Sequence, residues 1–169
     1  MPTEHARLLA IRHIVHEYAN FVSSAEMVLT GRDVEGKYFK PPINTLVSHA
    51  FYLNCRKLAD FFQNRTIAKD DVLAKHFVSD FTAKLPVCEE WRTPINRQLA
   101  HISYRRDVDS REITRDAQQA LYDELKRTWR ELRSQLPQSF AAEFDRQLRE
   151  RDEPYPNGGP SEFESYDLD

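Results

Sequence analysis

The chain has few glycines, which supply tight turns, and few cysteines, which cross-link small folds. Its 169 residues include only four glycines and two cysteines. So few glycines suit helices with short connections and argue against a β-sandwich, whose many turns require them. Cys55 and Cys88 form neither a CxxC pair nor a Cys/His zinc pattern. We therefore expect two small buried thiols in a reducing compartment.

Long apolar runs and common catalytic motifs are also missing. No stretch approaches the ~20 apolar residues of a membrane span, and charged side chains interrupt the first helix too often for a signal peptide. There is no phosphate loop and no nucleophile elbow. His13 and His16, with Glu17, could suggest a metal site, but a histidine pair three residues apart is a weak metal pattern. We expect a cytoplasmic protein with no cofactor and no bound metal. Whether it is an enzyme stays open.

Apolar residues at helical spacing dominate what is present. The first helix is predicted from Thr3, as its cap, to Thr30, with Gly31 ending it. It carries two apolar stripes, one of Leu8, Ile11, Val15, Tyr18, Val22, Ala25 and Leu29 and one of Ile14, Phe21 and Val28. Two apolar sides imply contacts on both, within a bundle or across a dimer interface. Because one partner helix would not cover them, we expect a homodimer.

Similar patterns predict the other helices. They are expected over 44–63 with Asn44 as cap, over 114–136, over 139–149 with Ser139 as cap, and as a short helix from Asp70 or Asp71 to Val78. The predicted fold is an all-α, antiparallel bundle of four main helices plus one or two short ones, formed by residues 1–150. Residues 151–169 form an acidic tail with interspersed aromatic residues.

The segment WRTPINRQLAHISYRR carries the densest polar pattern. Thr93 and Pro94 indicate a helix start, although a helix that begins earlier and passes through Pro94 is the alternative. Arg97, His101 and Tyr104 share one side of this helix. Such a set offers a histidine for proton transfer, an arginine for an anion and a tyrosine hydroxyl for positioning. The competing interpretation is a solvated helix face with a partly buried histidine.

Positive charge is concentrated in and after the same segment. Residues 92–115 carry a net charge of +3. Arg105, Arg106 and Asn96 are therefore candidate contacts to phosphate or RNA. The acidic tail is expected to lie along the protein surface near these arginines or Arg97, as an autoinhibitory strip, in its own chain or in a dimer mate.

A second polar group lies on the predicted helix over residues 44–63. His49, Arg56 and Asp60 align within a narrow sector of that helix, and Arg56 and Asp60 are spaced for an ion pair. If the pair is buried, it orients His49 or His101. If it is exposed, it is an ordinary surface pair that contributes little.

Three stretches carry a resemblance to known proteins. NCRKLADFFQ, DDVLAKHF and WRTPINRQLAHISYRR resemble a group of small uncharacterised prokaryotic proteins, and the last is similar to the Arg/His motif of HEPN-type helical domains, found in toxins, ribonucleases and phage-defence proteins. In catalytic members four to six residues separate the Arg from the His. Here three residues separate Arg97 from His101, and Asn96 occupies the four-residue spacing.

The resemblance and the charge pattern leave three functional hypotheses. In the first, an HEPN-like bundle acts mainly through association with protein, as a homodimer, within a defence or toxin–antitoxin system. In the second, a metal-independent ribonuclease uses His101 and Arg97, assisted by Tyr104. In the third, the chain binds nucleic acid without cleaving it. The sequence does not decide whether the partner is RNA or a protein.

Overall fold

The computed structural model describes residues 2–32, 36–38, 40, 43–66, 68, 71–100 and 113–152. Five α-helices follow one another in these ranges: α1 Glu4–Thr30, α2 Ile43–Phe62, α3 Pro86–Ala100, α4 Arg115–Gln135 and α5 Gln138–Asp152. One short 3-10 turn, Ala74–His76, lies between α2 and α3. The all-α bundle predicted from the sequence is confirmed. None of the described helices is long and apolar enough to cross a membrane.

Local chemistry sets the bounds of α1 as predicted. The Thr3 side chain accepts a hydrogen bond from the Ala6 amide, and Gly31 ends the helix in the left-handed conformation at φ 67°. There its amide donates to the Met27 carbonyl, as expected for a glycine that ends a helix. Thr114 caps α4 in the same way through the Ala117 amide.

Other predicted boundaries are wrong. Helix α3 begins at Pro86 and passes through Pro94, so the predicted start at Thr93 is wrong and the earlier start is correct. Asn44 and Ser139 lie inside the first turns of α2 and α5 rather than before them. The short helix predicted from Asp70 or Asp71 to Val78 is only the 3-10 turn.

Helix α1 lies at the centre of the bundle and contacts α2, α4 and α5. It runs antiparallel to α2, since Glu17 meets Lys57 while Ser24 meets Asn54. The Tyr18 ring stacks on Trp129 of α4 with 3.9 Å between ring centroids. Both apolar stripes of α1 are at least partly buried against these neighbours. The surplus apolar surface that suggested a dimer through α1 is therefore used within the chain.

The end of α2 is fixed by an asparagine. Asn64 adopts the left-handed conformation at φ 56°, which asparagine tolerates better than most residues. Its side-chain Nδ2 donates to the Phe81 carbonyl at 2.7 Å, and its side-chain Oδ1 accepts from the Lys75 backbone amide at 2.8 Å. These bonds join the end of α2 to the segment that leads into α3.

Candidate functional site

The polar side chains of α2 meet α3 at Asp60. Its carboxylate accepts a hydrogen bond from Arg92 Nη1 at 2.8 Å, and Arg56 Nε lies 3.9 Å away within the same helix. The predicted pair of Arg56 and Asp60 therefore exists. However, it is the looser of the two contacts, because Arg56 is 37% exposed while Arg92 is 20% and Asp60 14% exposed.

Arg92 extends this contact into a network. Its Nη2 donates to Gln63 Oε1 at 3.0 Å, and its Nε lies 3.5 Å from Glu89 Oε1. Glu89 also accepts from Arg65 Nη2 at 2.7 Å. We call these six residues the Asp60–Arg92 network: Arg56, Asp60, Gln63, Arg65, Glu89 and Arg92. With three arginines and two carboxylates, its formal charge is +1.

The pKa of Glu89 shows how the charges of the network act on one carboxyl group. Burial alone would raise its carboxyl pKa, but a hydrogen bond from Gln63 and the charges of Arg92 and Arg65 outweigh it, so the pKa is lowered. Lowering of this kind is expected when hydrogen bonds and opposite charges favour the ionised form. The network therefore joins α2 and α3 through ion pairs and hydrogen bonds between their side chains.

A groove opens beside the network. It has about 240 Å³ of empty space, open solvent included, and is lined by Cys55, Arg56, Ala59, Cys88, Arg92, Ile95 and Asn96. The buried Asn96 Oδ1 and Arg92 Nε have no hydrogen-bond partner within the described part of the chain. Because this volume includes open solvent, the enclosed part of the groove is far smaller than the ~300–1,000 Å³ of most ligand sites. It therefore suits water or the polar edge of a larger ligand.

The two thiols in the groove are not activated. Burial raises the pKa of Cys55. Burial also raises the pKa of Cys88, and Cys55 and the Glu124 carboxylate raise it further. A raised pKa keeps a thiol protonated and poorly nucleophilic. The expected role of both cysteines, as buried free thiols, agrees with their placement.

Glu124 fixes the helix that carries this site. It is 2% exposed and reaches from α4 to the start of α3. Its two carboxylate oxygens accept from the backbone amides of Val87 and Cys88 at 3.1 and 2.8 Å. A carboxylate at a helix N-terminus satisfies unpaired amides and favours the helix dipole. No local pattern indicates this contact, because donor and acceptor are 36 or more residues apart in the sequence.

The structure brings together only part of the predicted site. Arg97 and Asn96 lie on α3, and His49, Arg56 and Asp60 lie on α2. His49 is partly exposed, and the Asp60 carboxylate is held by the two arginines. His101, Tyr104, Arg105, Arg106 and the tail after Asp152 lie outside the described residues. Their predicted arrangement around Arg97 therefore stays a prediction.

No group of three or more histidine, cysteine or acidic side chains that could hold a metal occurs in the ranges that the structure describes. His13 and His16 are both exposed on α1. The groove itself is lined by arginine and amide groups beside the two buried thiols.

A second surface feature lies on the outer side of α2. Three of its large apolar side chains are strongly exposed: Ile43, Leu46 and Leu53. Together with exposed Ala50 and Lys57 they recur at intervals of three and four residues. We call these five residues the α2 stripe. Such spacing places them on one face of the helix, as in the seam between two packed helices.

Comparison with known proteins adds no relative. No protein-family model, no curated protein and no solved structure matches this chain.

Proposed function

We propose that this protein is an HEPN-like helical bundle that acts mainly through association with protein, first with a second copy of itself. We further propose a role in a prokaryotic defence or toxin–antitoxin system, in the cytoplasm. The observation that carries the proposal is the α2 stripe. Single exposed apolar residues are ordinary on a protein surface, whereas a regularly spaced row on one helix is typical of an association site.

The position of the stripe strengthens this interpretation. The extra apolar surface of α1 is at least partly buried inside the bundle. Ile43, Leu46 and Leu53 of α2, in contrast, remain exposed. Covering an apolar helix face that is exposed to water stabilises the complex by about 25 cal/mol per Å² of apolar surface buried. The predicted dimer is thus supported at α2 rather than at α1.

Sedimentation equilibrium of the full chain tests the proposal. We expect the average mass to rise from that of one chain toward that of two as the protein concentration increases. A mass equal to that of one chain at every concentration up to the millimolar range would reject self-association.

A ribonuclease is the second candidate, supported by the surroundings of Asn96. Its buried side-chain oxygen lacks a partner in the described part of the chain, it lines the groove beside Arg56 and Arg92, and Arg97 follows it directly. In this candidate the 2′-oxygen bonds to phosphorus as the bond from phosphorus to the 5′-oxygen breaks. His101 either takes the proton of the 2′-hydroxyl or gives a proton to the leaving 5′-oxygen, Arg97 stabilises the charge on the phosphate, and Tyr104 positions the phosphate.

RNA degradation in the presence of EDTA tests this candidate. The wild-type chain should cleave RNA, His101→Ala and Arg97→Ala should lose at least ~100-fold in rate, and His13→Ala on the exposed side of α1 should keep the full rate. Equal rates for the wild type and His101→Ala would reject it. Salt-sensitive RNA binding without cleavage would instead favour the third function, a nucleic-acid binder.

A further inference from the structure

The α2 stripe is nearly symmetric about Ala50. Ile43 lies seven residues before Ala50 and Lys57 seven after it, while Leu46 lies four before and Leu53 three after. If two copies of α2 crossed antiparallel at Ala50, each residue would face the position equally far on the other side. Ile43 would then face Lys57 of the second copy, and Leu46 would lie one residue, about 1.5 Å along the helix axis, from the position opposite Leu53. A surface that matches itself under a two-fold rotation is what an isologous dimer requires.

Charge separates the antiparallel arrangement from the parallel one. Lys57 is the only charged residue of the stripe. In a parallel pair, Lys57 would face the same lysine of the second copy, and the two like charges would repel each other. In the antiparallel pair it faces Ile43, whose side chain the aliphatic stem of the lysine can cover. The Lys57 ammonium meanwhile keeps its bond to Glu17 at 2.9 Å.

The centre of the stripe favours close approach. Ala50 is the smallest side chain of the five, and small residues at a helix crossing let two backbones come near each other. The larger side chains of Leu46 and Leu53 then lie on either side of the crossing point. Large and small side chains would therefore interdigitate along the seam.

We propose that two copies of this chain pack α2 against α2, antiparallel, around a two-fold axis that passes close to Ala50. This inference rests on the proposed association and names its surface and partner. The seam is about 21 Å long, at 1.5 Å per residue. A single helix face of this length covers less area than the ~800 Å² per partner of a standard interface. Interfaces below the standard size are typical of weak, transient contacts, and we expect a dissociation constant on the order of 10–100 µM.

A matched pair of charge insertions tests the surface. Leu46 and Leu9 are almost equally exposed, at 63% and 62%, but Leu9 lies on α1. Leu46→Glu places a carboxylate against Leu53 of the second copy at both ends of the seam. It should raise the dissociation constant by roughly 100-fold or more. Leu9→Glu should leave it unchanged. Circular dichroism melts of both variants check that the fold is kept.

Cysteine cross-linking tests the direction. With a bismaleimide of short reach, the Ala50→Cys variant should form a dimer linked between the two copies of position 50. An equimolar mixture of Leu46→Cys and Leu53→Cys should form a mixed dimer. Leu46→Cys alone should not link, because its mate would lie about 12 Å further along the helix. The wild type should not react, since Cys55 and Cys88 are buried. Linking of Leu46→Cys alone would indicate a parallel pair and overturn the proposal.

The outcomes distinguish self-association in general from association through the α2 stripe. A wild-type chain that stays monomeric rejects both the association and this interface. A dimer that Leu46→Glu does not weaken rejects the α2 interface and leaves self-association standing. If only a chain lacking residues 153–169 dimerises, the tail is the occupant of the stripe and the proposal fails.

Discussion

Asp60 is held by two arginines whose contributions differ. Arg92 donates a hydrogen bond at 2.8 Å from a mostly buried position, whereas Arg56 lies 3.9 Å away and is more exposed. The spacing of four residues predicted the contact with Arg56, because neighbours on one helix face meet regardless of the tertiary fold. It could not predict Arg92, because that contact depends on how α3 packs against α2.

The two arginines provide a matched stability test. Arg92→Ala should lower the free energy of unfolding by about 2 kcal/mol, because it removes a mostly buried hydrogen-bonded charge and leaves Asp60 with the looser partner. Arg56→Ala should cost at most ~0.5 kcal/mol, as for an exposed ion pair. Urea unfolding of both variants measures the difference. Equal losses would contradict the assignment of Arg92 as the main partner.

His76 is a residue whose protonation should destabilise the fold. Its Nδ1 accepts a hydrogen bond from the Leu73 amide at 3.2 Å, which requires an unprotonated nitrogen. Burial lowers its pKa from the ordinary 6.5, and the positive charges of Lys75 and Arg7 lower it further. The folded chain therefore binds a proton at His76 less readily than the unfolded chain does.

This lowering of the pKa gives a defined pH dependence. The contribution of His76 to stability should be fully present above pH 6.5 and be lost as the pH falls through the lower folded-state pKa. Between pH 8 and pH 5, His76→Gln should therefore lose less free energy of unfolding than the wild type, since glutamine can still accept from the Leu73 amide. His13→Gln on an exposed part of α1 is the control. A steeper loss in His76→Gln would contradict this sign.

At the scale of the element, α3 shows where local signals fail. Thr93 and Pro94 resemble a helix start because threonine caps helices and proline fits their first turn. The chain begins the helix at Pro86 instead, where proline again fits the first turn, and caps it with Glu124 of α4. The bounds of α1 and α4 were predictable because Thr3, Gly31 and Thr114 act on their own neighbours.

Glu124 provides the test at this scale. Glu124→Gln should lower the free energy of unfolding by about 1–2 kcal/mol, because an amide nitrogen would face one of the two backbone amides, and Glu124→Ala by about 2–4 kcal/mol. Glu131→Gln on the exposed side of α4 should change it by less than ~0.5 kcal/mol. Urea unfolding checks all three. A Glu124→Gln protein as stable as the wild type would show that the carboxylate does not hold α3.

At the scale of the whole molecule, the sequence predicts the bundle but not its outer surface. Apolar spacing was enough to predict an all-α fold and the approximate positions of its main helices, although the described residues form five α-helices and not four main ones. It could not tell which stripe stays exposed, because that depends on which helices pack together. The two stripes of α1 suggested a dimer interface and are covered by α2, α4 and α5. The exposed row instead lies on α2, whose opposite side forms part of the core.

The central claim is that the chain associates through the α2 stripe, and the concentration dependence of backbone amide chemical shifts tests it most directly on the unaltered protein. Dilution of a ¹⁵N-labelled sample from the millimolar range to about 10 µM, around the expected dissociation constant, should shift resonances of residues 43–57 and leave those of α5 in place. Spectra that do not change with concentration, or shifts confined to helices other than α2, would contradict the account.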